Sequence, residues 1–346
     1  MPMIEEQKKM NRVKLAFLGC GAISEYHLNG IKSTRGLGEK VQITAAIDTD
    51  FGKAWQIASE THAQAFTSLE HALIDGHFNA IDIMLPHDLH EEATIASLRA
   101  GKHVLLEKPM VPNLKACQRI LNAAKAAGTV FMVAENAQYW PEVVKAKELI
   151  DNGEIGKIIT ARAALWVPKD EYWLQGPDPW RYRRDRVGGG ITVDGGSHWI
   201  RPLRMWMGEI DEVTASIDYP DKKMEGESML HSIIRFNSGK SATFDALQAT
   251  NIVAPENWWR ITGTGGEILL PSTGGVKLFN ESFPRGRQVL KPHSYPKSFG
   301  PEIEDFADAI LTGKPPKASA EYSLGELRTA LAMYRSIETK KWEKVF

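Results

Sequence analysis

The 346-residue sequence has little of several features that would assign a protein to a special class. It contains two cysteines, Cys20 and Cys117, which are too few for a disulfide framework or a structural zinc site. Its formal net charge of −1 gives no electrostatic reason to expect nucleic acid or an anionic membrane as a partner. No segment approaches the roughly 18 consecutive apolar residues of a membrane span. The charged first 12 residues lack a signal-peptide core. We therefore expect neither nucleic-acid nor membrane partners, and a cytoplasmic location.

The first third of the chain predicts one parallel sheet. Hydrophobic residues make up 43% of the sequence and charged residues 25%, as in ordinary globular proteins, and the length suits two domains. Short apolar runs bounded by Gly, Pro or Asp alternate with helix-length stretches such as 91–100 and 114–127. The predicted strands are 13–18, 42–47, 80–85, 103–106 and 130–133. This alternation indicates an α/β domain over 13–135 with a doubly wound parallel sheet of the Rossmann type.

The pattern changes after residue 135. One amphipathic helix over 143–152 is followed by an aromatic and arginine-rich stretch, and residues 212–279 then read as strands joined by short turns. Helices are predicted again at 303–311 and 323–339. We expect an α+β domain over 136–346 with an open, mostly antiparallel sheet and helices on one side. The last helices are expected to pack back on the first domain.

A glycine-rich turn follows the first predicted strand and leads into a helix. Its two glycines allow a tight turn and the close approach of a pyrophosphate, which the helix N-terminus attracts. The second strand ends at Asp48, a carboxylate that can bond ribose hydroxyls and repel a 2′-phosphate. The alternative is that Asp48 caps the following helix. Lys53 lies nearby, so NAD is favoured and NADP is not excluded. The predicted contacts in the turn are Gly19, Gly21, Ala22 and Ile23.

Several short motifs occur in an order that resembles a known family. The sequence is similar to the Gfo/Idh/MocA oxidoreductases, which include glucose–fructose oxidoreductase and inositol 2-dehydrogenase. The motifs are the glycine turn with His27, Pro86 to His90, Ala100 to Pro109, Gly153 to Lys157, Gly188 to Gly190 with Asp194 and His198, and Phe306 to Pro316. The resemblance implies catalytic roles for Lys108, Asp194 and His198, and cofactor contacts by Pro86, His90, Glu107 and Lys108. It also implies a homodimer or homotetramer.

The candidate catalytic residues have a physical interpretation beside the resemblance. Lys108 follows a parallel strand, and the proline after it confines its backbone and makes that peptide bond a candidate for the cis form. A lysine beside an oxidised nicotinamide is a suitable base, because like charge disfavours its ammonium form. Asp194 and His198 share one face if the stretch is a single helix, so that the carboxylate supports the imidazole. Without the family pattern, a surface lysine and a catalytic lysine would be equal alternatives at position 108. For Asp194 and His198, an ordinary helix pair at the surface or a satisfied core histidine would then be preferred. We expect no metal site, because the other histidines lack ligand spacing with this pair.

The stretch between the domains is a candidate wall of the substrate site. Its aromatic residues, Trp166, Tyr172, Trp173, Trp180 and Tyr182, either stack on a sugar ring or simply pack. Gln138 and Tyr139 are expected to line the same cleft. Arg201 stands where family members often carry an acidic residue. With Arg181 and its neighbours it either clamps an anionic substrate or belongs to a solvated or subunit-contact loop.

The sequence therefore predicts an NAD(P)-dependent oxidoreductase acting on a secondary hydroxyl of a sugar, sugar derivative or cyclic polyol. One alternative is an NAD-dependent glycosidase or lyase that uses a transient oxidation of the sugar. Another is a dinucleotide-binding regulator without activity, against which the complete set of proton-transfer residues argues.

Overall fold

The computed structural model describes residues 12–168, 179–292 and 298–346. Its first sheet has six parallel strands in the order β3-β2-β1-β4-β5-β6. The strands are β1 Val13–Leu18, β2 Val41–Ile47, β3 Gln64–Phe66, β4 Ala80–Ile83, β5 His103–Glu107 and β6 Phe131–Ala134. The predicted doubly wound parallel sheet is confirmed. The short edge strand β3 was not predicted, because only one of its three residues is buried.

Helices cover both faces of this sheet. They are α1 Ala22–Ser33, α2 Leu37–Lys40, α3 Phe51–Thr61, α4 Leu69–Asp75, α5 His90–Arg99 and α6 Leu114–Ala127. The signals at the ends of α6 are clear in the sequence. Asn113 accepts a hydrogen bond from the Ala116 amide at its start, and Gly128 adopts a left-handed conformation with φ 65° at its end.

The second sheet has nine strands in the order β14-β13-β12-β11-β7-β10-β9-β8-β15. Its strands are β7 Ile158–Pro168, β8 Ile210–Asp218, β9 Met229–Phe236, β10 Ser241–Ala249, β11 Asn257–Gly263, β12 Gly266–Pro271, β13 Val276–Asn280, β14 Arg287–Leu290 and β15 Glu343–Lys344. Only the pair β7 and β10 is parallel among these described strands. The open, mostly antiparallel sheet is confirmed.

The remaining helices connect the two sheets. They are α7 Pro141–Asp151, α8 Arg184–Val187, α9 Ile191–Asp194, α10 Ser197–Met207, α11 Phe299–Thr312 and α12 Ala320–Thr339. Ile303 and Phe306 of α11 share a buried cluster with Leu15 of β1. Leu327 of α12 shares another with Val133 of β6. The last two helices thus pack on the first sheet. No helix in the described ranges combines the length and apolar composition that a bilayer span requires.

Candidate active site

A cavity of about 1000 Å³ lies at the carboxyl edge of the parallel sheet, where α9 and α10 approach it. Ligands bind at this edge in open α/β sheets. On the sheet side it is lined by Gly19, Gly21, Ala22, Ile23, Asp48, Pro86, Glu107 and Lys108. Trp180, Arg181, Asp194 and His198 line it from the second domain. The fold therefore brings most of the predicted cofactor, catalytic and substrate residues to one cavity.

The glycine turn is shaped by close backbone contacts. Gly19 has φ +91°, and a Cβ atom there would lie 2.4 Å from the main-chain oxygen of Met84. Its amide donates to the carbonyl of Ile47 at 2.8 Å. Gly21 is the N-cap of α1 and lines the cavity. The unpaired amides of the first turn of α1 therefore lie at the cavity wall. This turn fits the pyrophosphate of a dinucleotide.

Asp48 is tied to the glycine turn rather than to the next helix. Its Oδ2 accepts from the Cys20 amide at 2.8 Å, and its Oδ1 accepts from the Asp50 amide at 2.9 Å. Asp50 is the residue that caps α3, accepting from Gly52 at 2.9 Å. The alternative of Asp48 as a helix cap is therefore set aside. Lys53 also lines the cavity, as the sequence suggested.

Lys108 and Asp194 meet across the cavity. The Lys108–Pro109 peptide bond is cis. The Lys108 ammonium donates to the main-chain carbonyl of Asp194, and Nζ lies 3.7 Å from the Asp194 carboxylate. The same carboxylate lies 3.3 Å from Arg181 Nε and 3.5 Å from His87 Nε2. Burial alone would raise the pKa of Asp194, but Arg181, Lys108 and His87 hold it below its usual range. Asp194 is therefore an anion surrounded by nitrogen donors.

His198 takes its orientation from Glu135, a residue that sequence reasoning missed. Its Nδ1 donates to Glu135 Oε1. Asp194 ends α9 and His198 lies in α10, with two glycines between the helices. This corrects the expectation of one helical face on which Asp194 supports the imidazole, since the contact of His198 Nδ1 is with Glu135. Glu135 follows β6, so the rule that ligands gather at the carboxyl ends of parallel strands was the signal for finding it.

Glu135 is ionised and almost fully buried, at 1% exposure. Burial would raise its pKa, but the neighbouring His198 and the Arg201 guanidinium lower it to about 2. A carboxylate at Nδ1 leaves His198 Nε2 as the ring nitrogen that can take a proton. The arrangement provides an oriented general base.

Arg201 and Gln138 form an interior network instead of a substrate clamp. Arg201 is 0% exposed; its guanidinium donates to both carboxylate oxygens of Glu326 at 2.8 and 3.0 Å and to Ser323 at 2.7 Å. It also donates to the Gln138 side-chain oxygen. The family's acidic position is thus occupied here by a buried arginine with its own acidic partner in α12. Its burial in α10 sets aside both alternatives for Arg201, a clamp on an anionic substrate and a place in a solvated or subunit-contact loop.

Some other predicted contacts lie outside the cavity wall that the described residues form. Tyr139 donates to Asp305 at 2.7 Å. Trp166 lies between Leu165 and Val167, which line the cavity, and alternation along β7 turns it to the opposite face. Buried His90 contacts the main-chain oxygens of Leu85 and Pro109 at 2.8 and 3.0 Å, so it shapes the loops instead. Tyr172 and Trp173 lie outside the described residues.

A buried chain of charges supports the cavity floor. His27 Nδ1 lies 2.7 Å from Asp82, and its Nε2 lies 3.1 Å from Glu107 Oε1. Although burial lowers the pKa of His27, the two carboxylates raise it well above its usual value. The other oxygen of Glu107 accepts from the Lys108 amide at 3.0 Å. The chain thereby fixes the backbone that carries Lys108.

Metal ligands do not cluster in the parts of the chain that the structure covers. Within 12–168, 179–292 and 298–346, no three His, Cys, Asp or Glu side chains are grouped to hold a metal ion.

Comparison with known proteins identifies both halves of the chain. The model of an oxidoreductase family named GFO_IDH_MocA, with an NAD-binding Rossmann fold, matches residues 13–135. The GFO/IDH/MocA C-terminal domain model matches residues 143–269.

Relatives match along almost the whole length. A D-xylose 1-dehydrogenase (NADP(+)) of Haloferax volcanii is 27% identical and covers 90% of this chain and 97% of its own. A myo-inositol 2-dehydrogenase of Thermotoga maritima is 25% identical, covering 96% of this chain and 98% of its own. The crystal structure of an oxidoreductase from Thermotoga maritima superimposes with a TM-score of 0.84 at 27% identity, covering 96% of this chain and 98% of that one.

Proposed function

Since the chain belongs to the Gfo/Idh/MocA family of NAD-binding oxidoreductases, we propose that it is a dehydrogenase acting on a secondary hydroxyl of a sugar, sugar derivative or cyclic polyol. The observation that carries this proposal is the convergence of Lys108, Asp194 and an oriented His198 on the cavity that the glycine turn enters. The relatives named for D-xylose and myo-inositol support the substrate class.

Residues at the carboxyl edge of the parallel sheet would make the contacts with the cofactor. The amides at the start of α1, after Gly21, would hold the pyrophosphate, and the Asp48 carboxylate would accept the ribose hydroxyls. A carboxylate at this position repels a 2′-phosphate, so we expect a preference for NAD over NADP. Bound NAD supplies the two-electron acceptor for the substrate carbon.

The proton is handled by the chain itself. His198 Nε2 takes the proton of the substrate hydroxyl, because Nδ1 is committed to the buried Glu135 carboxylate. Lys108 donates a hydrogen bond to the same substrate oxygen and stabilises the charge that develops on it. Asp194 holds the Lys108 ammonium and Arg181 in place. Asp194 therefore acts on the substrate through its neighbours.

The test is NADH formation over a panel of sugars and polyols. Wild type should reduce NAD with at least one of them, whereas Lys108→Ala and His198→Ala should bind NAD normally and lose turnover by roughly 100-fold or more. His77→Ala is the matched control, because His77 is exposed and lies outside the cavity. Wild-type turnover in both site variants would refute the assignment. Glycoside cleavage without NADH accumulation would indicate the redox-neutral alternative.

Assembly and location are part of the proposal. Along β9 the exposed His231, Ile233 and Arg235 alternate with buried residues, which gives an open sheet face suited to pairing copies of the chain. We expect a homodimer or homotetramer, which Ile233→Glu should dissociate in light-scattering measurements. Cys20 and Cys117 are buried and unpaired, which suits the reducing cytoplasm.

A further inference from the structure

A second, very small cavity lies beside the active site. Its volume is about 10 Å³, and Lys108 lines both cavities. Glu135 forms one side of it, α9 and the start of α10 form another, and Ser323 and Glu326 of α12 close it. A space of this size is just large enough for one water molecule, and Glu135, Thr192 and Ser197 supply polar atoms to its otherwise mostly apolar wall.

Three buried polar atoms in its wall make no direct hydrogen bond of normal geometry with the described protein groups, although the Ser197 side chain lies close to the Glu135 carboxylate and the Thr192 side chain close to the Tyr334 hydroxyl. The three atoms are Glu135 Oε2, Thr192 Oγ1 and Ser197 Oγ. Glu135 is 1% exposed, Thr192 is 1% exposed and Ser197 is 6% exposed, so bulk solvent does not satisfy them. Buried polar atoms almost always have a partner, because leaving one unpaired is costly. Three such atoms around one water-sized space therefore point to a shared ligand.

We infer that this cavity binds one ordered water molecule that bridges Glu135 Oε2 to the hydroxyls of Thr192 and Ser197. Buried waters make about three hydrogen bonds, the number available here. A cation is disfavoured, because Lys108 lines the cavity and the Arg201 guanidinium is bonded to Ser323 and Glu326 in its wall.

The water has a consequence for His198. Glu135 uses Oε1 to hold His198 Nδ1, so a bridge at Oε2 fixes the rotation of the carboxylate and hence of the imidazole. The bridge also joins the end of β6 to α9, which carries Asp194, and to α10, which carries His198. Thr192 and Ser197 are therefore positioning residues. This role rests on the proposed function, because it acts through His198 as the base.

The test combines diffraction with kinetics. A high-resolution crystal structure of the wild type should show one solvent peak within hydrogen-bond distance of Glu135 Oε2 and at least one of the two hydroxyls. The double variant Thr192→Val, Ser197→Ala should lose the peak. Its kcat should fall about tenfold and its pH profile should shift, while KM and NAD affinity change by less than about twofold. The single variant Ser197→Ala, a milder change, should show a smaller fall in kcat.

Thr94→Val is the matched control, because Thr94 Oγ1 is also buried and unpartnered but lies outside this cavity. It should leave kcat and the pH profile unchanged. A wild-type cavity without a solvent peak would overturn the inference, and so would a double variant with the kinetics of Thr94→Val. The diffraction result does not depend on turnover. A bound water in a protein without dehydrogenase activity would therefore refute the proposed function and leave the site standing.

Discussion

Replacing Glu302 with Gln should change how the stability of the protein depends on pH. Glu302 is 0% exposed, and neither carboxyl oxygen has a partner among the described groups. Burial raises the pKa of Glu302 well above its usual value; Glu107, Glu135 and Asp82 raise it further, and only His27 lowers it. The folded protein therefore keeps a proton on Glu302 that the unfolded chain releases.

The sign and size follow from proton linkage. Because the folded state binds the extra proton, the stability that Glu302 contributes is fully present below the unfolded pKa of about 4.5. Its stability falls as pH rises from there towards the raised folded pKa, by about 1.4 kcal/mol for each pH unit from this group alone. Gln has the same shape and no proton to keep, so Glu302→Gln removes this slope. For a chain of this length, the melting temperature of Glu302→Gln minus that of the wild type should become more positive by about 2 °C for each pH unit.

The assay is thermal unfolding of both proteins, followed by circular dichroism at several pH values from 5 upward. Burying the Gln amide adds a penalty that does not depend on pH and shifts the melting temperature of the variant equally at every pH. The change of the melting-temperature difference with pH is therefore the quantity that tests the prediction. Glu338→Gln, an exposed position on α12, is the control and should show no slope. A melting temperature of Glu302→Gln minus that of the wild type that stays flat, or becomes more negative as pH rises, would refute a protonated Glu302.

Three further outcomes are expected. Glu135→Gln should lower kcat roughly 100-fold with NAD affinity retained in a fluorescence titration, and an unchanged kcat would contradict the orientation of His198 by Glu135. Asp48→Ala should reduce the ratio of kcat/KM for NAD over NADP about tenfold, whereas an unchanged ratio would mean that Asp48 does not select the cofactor. Gly19→Ala should weaken NAD binding and lower the melting temperature, because its Cβ would lie 2.4 Å from Met84 O; Gly38→Ala, with nothing within 4 Å, should do neither.

Local signals made much of the first domain predictable. Residues 13–18 and 114–127 are a strand and a helix with the predicted bounds, because apolar runs, caps and stop glycines act within a few residues. The glycine turn and Asp48 are proposed as a cofactor site because both follow predicted strands at the spacing typical of dinucleotide-binding domains. The strand 64–66 was missed because it is three residues long and has one buried side chain.

The rest of the site depends on contacts between distant residues. Glu135 and His198 are 63 residues apart, and Arg201 and Glu326 are 125 apart. The hydrophobic periodicity of the sequence does not predict contacts between residues so far apart. The four-residue spacing of Asp194 and His198 suggested one helix, but Gly195 and Gly196 separate α9 from α10, so local spacing indicated the wrong partner for the imidazole.

The most direct test of the proposed dehydrogenase activity follows one hydrogen atom. A sugar or polyol that the enzyme oxidises is labelled with deuterium at the carbon of its secondary hydroxyl, and the reduced cofactor is analysed by mass spectrometry. Transfer of the deuterium to NADH, with a slower rate than for the unlabelled substrate, is the predicted result. Deuterium that stays in the product, or appears only in water, would contradict hydride transfer at this site.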